Sequence, residues 1–411
     1  MKRINSVWML VILLVCTLVS CQPEQKPAVE RECDFSIENP TGIKQVTYSD
    51  IKVTLKDNQH NKKIEWAPTS TTFKQKLLEG SYQVTLTATI TYHSDRYGKV
   101  RTGITSEQMI MVAAGKTSFK LVPTYTEAKS SGFVIEEIFG SPSIDPATGK
   151  TYKYSEQYIK ITNNSDMTLY ADSLGILQSN NLTNMKRDYK KPIFDRALPI
   201  GFLSMIPGDG KTYPVEPGQS LIIANDAQDH SKVFPGAINL LKADFEIFDE
   251  SSNPRFQDVD NQEVTNLISY YKSSLTVSSF HQRGCTTIAL VRIPISQEEY
   301  AKDYAWEGIY TFTFKDFVKE MTDKCYQVPN KWIIDAVNLG INDQVEWLFL
   351  EKSYDNGFTG WNDSFNDKTG HGTSVRRKID RKVGERIYLK DTNNSTNDFD
   401  RKVIPSLKMS K

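Results

Sequence analysis

The chain lacks most of what catalysis or nucleic-acid binding requires. Its 50 basic and 50 acidic side chains cancel, whereas a nucleic-acid binder usually carries a basic excess to meet the phosphates. No block of like charge is long enough to form a polybasic or acidic tail. Cysteine is scarce, at five, with neither a CxxC pair nor a zinc spacing, so no cysteine-held metal is expected. The five histidines, His60, His93, His230, His281 and His371, stand in no ligand spacing. There is no Gly-x-Ser-x-Gly elbow and no glycine-rich phosphate loop. Adjacent acids such as Glu136-Glu137 and Glu298-Glu299 point apart on a strand or helix, and no carboxylate couple stands out as a glycosidase pair. Beyond the first twenty residues no segment has the ~20 apolar positions of a membrane-spanning helix. A non-enzyme with no metal and no cofactor is the expectation.

What is present begins at the N terminus. Lys2 and Arg3 precede an apolar run from Val7 to Val19, and Leu18-Val19-Ser20-Cys21 closes it. A basic start, a short apolar stretch and small residues before a cut are the pattern of a secretory signal peptide over 1–20. The ending resembles a bacterial lipobox, which makes Cys21 the lipidated first residue of an outer-membrane lipoprotein held at the cell surface. Cleavage there removes Lys2 and Arg3, leaving 48 basic against 50 acidic side chains. Residues 21–32, with Pro23 and Pro27, read as a polar tether. Cys33, Cys285 and Cys325 then remain. Either Cys285 and Cys325 form a disulfide in an oxidising compartment, or the thiols are buried as small hydrophobes.

Some 390 mature residues exceed what one core usually organises, so two or three domains are expected, as is roughly usual above 250–300 residues. From Cys33 to Tyr125 the pattern is strand, turn, strand. Ile51, Val53 and Leu55 alternate with polar residues, as do Tyr82, Val84, Leu86, Ala88, Ile90 and Tyr92. Met109 to Val112 and Phe119 to Leu121 close the set. Phe73, Leu77, Gly80 and Tyr82 give an F…L-x-x-G-x-Y turn that resembles prealbumin-like and carboxypeptidase-regulatory-like sandwiches. A small β-sandwich over 33–125 is the expectation, with the polar stretch 124–132 as its boundary.

After that connector the motifs change. Val134-Ile135-Glu136-Glu137-Ile138 gives V-I-x-E-I, and Gln157 to Ser165 gives E-x-I-x-I-x-N-x-S with Gln157 in place of the glutamate. Pro217-Gly218 leads to Ile222-Ile223-Ala224, a type II turn signal because glycine accepts the positive φ after proline. Further on stand Ile333-Ile334-Asp335-Ala336-Val337, Gly372-Thr373-Ser374-Val375-Arg376-Arg377, and the stretch from Asp391 to Phe399 with Asn394, Ser395 and Asp398. This order resembles the lamin-tail domain, an immunoglobulin-like sandwich, across 133–411. The expected fold is mainly β, with two β-sandwiches, the second lamin-tail-like with helical and loop insertions near 177–210 and 240–330. Helices are predicted at 296–304 and 314–323, and strands at 275–277 and 286–291.

Lipobox, small sandwich and lamin-tail-like domain together resemble an uncharacterised family of Bacteroidota surface lipoproteins. That resemblance implies association with a TonB-dependent outer-membrane transporter. The cargo it suggests is an iron source, another metal complex or a glycan, in that order.

Three local features are candidate sites. Tyr354, Phe358, Trp361 and Phe365 are interleaved with Asp355, Asn356, Asn362, Asp363 and Asn366. Such aromatics either stack on a ligand or partner or fold back as a plug over the sandwich edge. Asp172-Ser173-Leu174 matches a short O-glycosylation acceptor pattern at Ser173. Asp391, Asn393 and Ser395 partly resemble a calcium loop, but Thr396 and Lys402 replace the required glycine and glutamate. An Asx-turn network pinning the last strand reads better. The function read from the sequence is a non-catalytic binding or accessory subunit of a nutrient uptake system. The alternative is an adhesin or structural envelope protein. A hydrolase finds no catalytic segment.

Overall fold

The computed structural model describes residues 29–57, 62–94, 98–123, 125, 132–152, 156–314 and 317–409. The expected signal peptide, Cys21, most of the expected tether, His60 and most of the 124–132 connector lie outside the described residues. The described chain is mainly β and of sandwich type. It divides into two compact units, one of Met1–Glu38, Lys52–Leu86 and Ser106–Val122, the other of Asn39–Ile51, Thr87–Thr105 and Pro123–Lys411.

In the first unit, strand Glu30–Ile37 lies between Thr72–Leu78 and Ser118–Leu121. The register sets Phe35 opposite both Phe73 and Phe119. The Phe35 ring stacks on Phe73 at 5.2 Å and tilts against Phe119 at 5.4 Å. Trp66 meets Phe73 edge-on at 5.5 Å. The residues that alternate in sequence, Tyr82, Val84 and Leu86, are buried. Tyr82 ties down the turn before it, its hydroxyl donating to Leu78 O at 2.9 Å. The unit differs from the span 33–125 expected for the small sandwich. Strands Gly80–Ser94 and Gly98–Val112 are each 15 residues long, about 50 Å at ~3.4 Å per residue, and their far halves belong to the second unit.

The second unit holds two large sheets. One runs Asp188–Tyr189, Ala305–Phe314, Phe317–Pro329, Ala197–Met205, Leu174–Ser179, Thr287–Arg292, Ile333–Asn338, with Ile268–Lys272 also paired to Ala197–Met205. The other runs Thr265–Asn266, Phe245–Glu246, Ser220–Ala224, Tyr158–Asn163, Phe133–Phe139, Ser374–Arg377, Phe399–Val403. Their central strands are buried on both faces, which explains their near-continuous apolar sequences. Leu177, Ala289 and Val291 face one core. Ile176, Ile288 and Leu290, on the opposite face by alternation, are equally buried. In the second sheet Tyr158 and Phe139 face a separate core, while Ile159 and Ile161 are buried on the other side.

The sequence motifs of 133–411 converge on buried polar bonds. Asn163 Nδ2 donates to Met167 O (2.6 Å) and Val215 O (2.7 Å), and its Oδ1 takes the Ser165 N–H (3.0 Å). Gly218, at φ 83°, closes the expected turn through Gln219 N to Glu216 O at 3.0 Å. Glu137, wholly buried, accepts from Ser374 Oγ at 2.5 Å and Arg376 at 2.9 Å. Arg377 grips Asp335 with two bonds from Nη2 (3.0 and 2.8 Å) and reaches Asp391 at 3.2 Å. Asp335 in turn takes the Ile135 N–H at 2.6 Å, joining the two sheets.

Several local expectations are corrected. Residues 314–323 are not a helix: Ala305–Phe314 and Phe317–Pro329 pair residue for residue as a hairpin. A short isolated helix gains little in water, falling below the ~12–15 residues such helices need, whereas the neighbouring strand satisfies this backbone. Residues 275–277 form no strand. Leu275 is 81% exposed, and Ser274 Oγ takes the Thr276 N–H at 3.1 Å, a local bond that competes with a ladder. The helix near 296–304 is present as Gln297–Asp303, opened by a Ser296/Glu299 capping box. The Cys285–Cys325 disulfide is not formed. Both thiols are free and buried, and burial pushes them up to about 11 and about 12.

Loops between 226 and 261 bring buried acids together. Burial, with Asp258 and Glu246 nearby, pushes Asp226 up to about 7. Burial and Asp249 push Asp258 up to about 6. His230 Nε2 stands 3.7 Å from Asp226, and burial keeps that imidazole below its usual range. An acid whose folded pKa exceeds its unfolded value of about 4 costs stability as pH rises through the interval between them. Asp226→Asn removes that cost while leaving the histidines in place. The variant should melt several degrees above the wild type at pH 7.5 and lose about half of that advantage at pH 5.5. Thermal melts of both proteins at the two pH values test this, and equal shifts at both would refute it.

Candidate functional site

The aromatic loop proposed for recognition is divided between core and surface. Trp361 is 0% exposed, its Nε1 donating to Gln282 O at 2.8 Å. Its ring closes on Gly140 and Gly284, where an added Cβ would stand 2.7 and 3.0 Å from it. Tyr354 packs against the core of the first large sheet. Phe358 is half-buried, its N–H and carbonyl both held by Thr396 Oγ1 at 3.0 and 2.9 Å. Of the four only Phe365 is exposed, beneath the Arg283 guanidinium at 3.7 Å. Trp361 and Tyr354 therefore belong to the core rather than to an exposed surface, and polar residues interleaved with them close turns. Asp355 accepts from the N–H groups of Asn338, Gly357 and Ser395 at 2.8, 3.0 and 2.8 Å.

The 391–399 stretch has the same character. Asn394 caps helix Ser395–Asp398, and Asp398 accepts from Thr392 N and Oγ1 at 2.8 and 2.7 Å. Among the described residues no group of three or more His, Cys, Asp or Glu side chains could hold a metal.

Phe365 and Arg283 do border a cavity of about 540 Å³, with His281 and Cys285 in its wall. Burial, reinforced by Arg283, lowers the His281 pKa, and its Nδ1 has no partner.

A larger cleft, about 980 Å³, lies elsewhere in the second unit. Its wall starts from Asp172-Ser173, the residues of the glycosylation pattern. Gly208, at φ +130°, follows strand Ala197–Met205, and a Cβ there would overlap the Asp172 carboxylate. The close approach lets Asp172 take the N–H groups of Gly210 (3.1 Å), Thr212 (2.9 Å) and Tyr213 (3.0 Å). Burial opposes ionisation of Asp172, but those N–H groups hold it below the ordinary carboxylate range. Ser173 is half-buried at φ 61° in the same wall, so a sugar attached to it would compete with any other occupant.

Arg292 ends strand Thr287–Arg292 and lines the cleft. Its Nη1 donates to the carbonyls of Asp172 and Tyr170, and Nη2 to Tyr170 O at 3.2 Å. Nε is buried with no partner. Burial pulls the guanidinium down to about 10, with Asp172 opposing, so it stays charged at neutral pH. Among the described residues it makes no ion pair, and its nearest carboxylate is already committed to three backbone donors. Lys99, Lys211 and Lys331 add positive charge to the lining, against Asp172 and Asp209. Lys99 Nζ stands 5.3 Å from the Tyr170 ring centroid. Trp332 and Tyr270 show edges, backed by Tyr304 at 5.0 Å from Trp332 and Tyr300 at 5.8 Å from Tyr270. Sequence reasoning missed this site. Arg292 reads as the polar end of an apolar strand, and nothing local reveals that it is buried.

Fold and cleft define a mainly β, sandwich-type chain with a cationic, aromatic-edged cavity. A family model described as "Protein of unknown function (DUF4876)" matches residues 216–406. The chain is also similar to the crystal structure of a DUF4876 family protein from Bacteroides thetaiotaomicron, at 19% identity and a TM-score of 0.56. That likeness covers 92% of this chain and 97% of the other, and it is one of fold. No curated protein matches.

Proposed function

We propose that the protein is a non-catalytic, lipid-anchored binding protein of the bacterial cell surface, an accessory subunit of a TonB-dependent nutrient uptake system. The observation that carries the binding role is the 980 Å³ cleft, within the size range of ligand sites, roughly 300–1,000 Å³. Its aromatic edges and convergent cations can orient a ligand. The lipobox-like ending at Cys21 supports the anchor, and likeness to a Bacteroides protein supports a Bacteroidota setting. The lamin-tail reading of 133–411 is supported by four of its motifs lying on adjacent strands of one sheet, from Ser220–Ala224 through Tyr158–Asn163 and Phe133–Phe139 to Ser374–Arg377, with Ile333–Asn338 on the other large sheet.

The second reading, an adhesin or structural envelope protein, is favoured by the hairpin Ala305–Phe314/Phe317–Pro329. It exposes Phe317 and Met321 on one face and, by alternation, Ile309 and Val318 on the other, apolar side chains open to a macromolecular contact on either side.

One experiment separates these roles. A deletion strain complemented with wild type or Cys21→Ala is grown on defined iron and glycan sources, with palmitate labelling and transporter copurification followed in parallel. Uptake predicts a growth defect on one source, rescued by wild type, and loss of label in Cys21→Ala, since firm anchoring takes more than one acyl chain. Normal growth on every source, with impaired attachment to surfaces, would replace uptake with adhesion.

A further inference from the structure

We infer that the hairpin Ala305–Phe314/Phe317–Pro329 joins two copies of this chain. The outer edge of one Phe317–Pro329 strand pairs antiparallel with the same edge of the second copy. Neither the cleft nor its ligand is involved. Two backbone bonds show which groups that edge offers. Lys190 N donates to Ile309 O, and Gln327 N to Tyr304 O, both at 2.9 Å. The first turns the Ile309 backbone away from Phe317–Pro329, and the second turns that of Gln327 toward the neighbouring strand. Antiparallel pairs alternate in this sense, and Ile309 stands opposite Thr322. The N–H and C=O groups of Val318, Glu320, Thr322 and Lys324 therefore all point outward. Strand Ala197–Met205 occupies this edge only from Tyr326 to Pro329. From Val318 to Lys324 it meets no strand among the described residues. Native sheets rarely leave such an edge bare, and a lone two-stranded ribbon is marginal in water. Edge pairing of two ribbons makes four continuous strands.

The charges on the edge select a second copy as its occupant. Lys319, Glu320, Asp323 and Lys324 read plus, minus, minus, plus. A two-fold axis between Met321 and Thr322 would set Lys319 against Lys324 and Glu320 against Asp323. Like charges directly opposite are destabilising, and this register also sets outward backbone against inward. Both penalties vanish when the axis passes through Met321. Val318 then exchanges backbone bonds with Lys324 of the second copy, and Glu320 with its Thr322. Lys319, exposed and in no ion pair among the described residues, lies opposite Asp323 of the second copy. Asp323 spends Oδ2 on Arg187 (2.5 Å) and the Tyr189 hydroxyl, which leaves Oδ1 for that ammonium. Met321 packs on its own copy, and the Lys324 stem covers Val318, which alone is 64% exposed. The flanking registers fail. An axis at Glu320 opposes that carboxylate to itself, and one at Thr322 needs the edge of Tyr326, which Ile200 holds.

The test takes the full chain in detergent and reads its oligomeric state by sedimentation velocity across a dilution series. The wild type should sediment as a dimer that dissociates on dilution. Thr322→Pro removes an outward N–H that the hairpin's own ladder does not use, a position where proline is tolerated. It should raise the apparent Kd at least about tenfold, as expected for lost and blocked backbone bonds. Thr313→Pro, on the hairpin's other edge, is the control and should leave the dimer intact. Lys319→Glu, an exposed change, should weaken the dimer roughly twofold to tenfold. Met321→Cys should cross-link to itself under oxidised glutathione, since such non-hydrogen-bonded pairs bring Cα atoms to about 4.5 Å. Glu320→Cys, opposite Thr322, should not. Melting curves show whether each proline variant folds. If one does not, Lys319→Glu and the cysteine pair carry the test. A monomer at every concentration overturns the inference. So does a dimer indifferent to both Thr322→Pro and Lys319→Glu, as lipid clustering alone would give. Cross-linking through Glu320→Cys but not Met321→Cys overturns the register and the charge argument with it.

Discussion

Replacing Trp361 by alanine should cost about 3–5 kcal/mol of stability, the usual penalty for truncating a fully buried aromatic. The indole has no exposed surface, and it fills the space left by two glycines. Gly140 and Gly284 both lie so close that a Cβ on either would press into the ring. Neither can move outward to refill the hole, so the cavity should persist. Gln282 O also loses its donor at 2.8 Å, adding an unsatisfied carbonyl. Phe365→Ala is the matched control. It removes an exposed ring and its contact with Arg283, and should shift stability by no more than ~0.5 kcal/mol. Denaturant melts of the two variants measure the contrast. Comparable small losses would mean that the 354–371 loop is not seated as described.

Binding follows the opposite order. Trp361 lies outside the cleft of Arg292, so a folded fraction of the Trp361 variant should keep its ligand affinity. Exposed or half-exposed cleft residues such as Lys99 and Lys331 should affect affinity without affecting melting.

The contrast between Trp361 and Arg292 shows what could be read from the sequence. Alternation at Tyr82, Val84 and Leu86 identified a strand because a half-buried sheet imposes period two. The Pro217-Gly218 pair identified a turn because φ there must be positive. Both are local constraints. Trp361 among asparagines, aspartates and glycines looked like a surface ring, because local composition cannot show that Gly140 and Gly284, far away in sequence, leave room for an indole. Arg292 was invisible for the same reason: its burial against the carbonyls of Tyr170 and Asp172 is a tertiary contact. The expected helix at 314–323 gave way to a strand because the strand that pairs with it, Ala305–Phe314, lies upstream. The extended strands Gly80–Ser94 and Gly98–Val112 were located correctly in part, but their division between two units is a property of tertiary contact.

The buried ion network gives the second large effect. Arg377, Asp335, Asp391 and Asp398 come from three sequence motifs that folding brings together. Arg377 donates to Asp335 at 2.8 and 3.0 Å, to Asp391 at 3.2 Å, and to the carbonyls of Ile135 and Lys390 at 2.8 and 3.0 Å. Asp398 stands 3.7 Å away. Arg377→Leu would leave three acids buried with no cation, and breaking a buried pair from one side costs about 3–5 kcal/mol. The cost should depend on pH. Burial and Asp335 already push Asp391 up to about 6, with Arg377 opposing. Without the arginine Asp335 and Asp391 hold protons to still higher pH. Their folded pKa values then lie further above the unfolded value of about 4, so stability falls as pH rises through the widened interval. The deficit of Arg377→Leu relative to wild type should therefore be largest near pH 8 and shrink toward pH 5, where protons substitute for the guanidinium. Arg377→Lys, which keeps the charge but not the fork, should fall between the two. Denaturant melts of the three proteins across that pH range decide it. A deficit that stays constant with pH would place the loss in the carbonyl bonds and packing of Arg377 rather than in its charge.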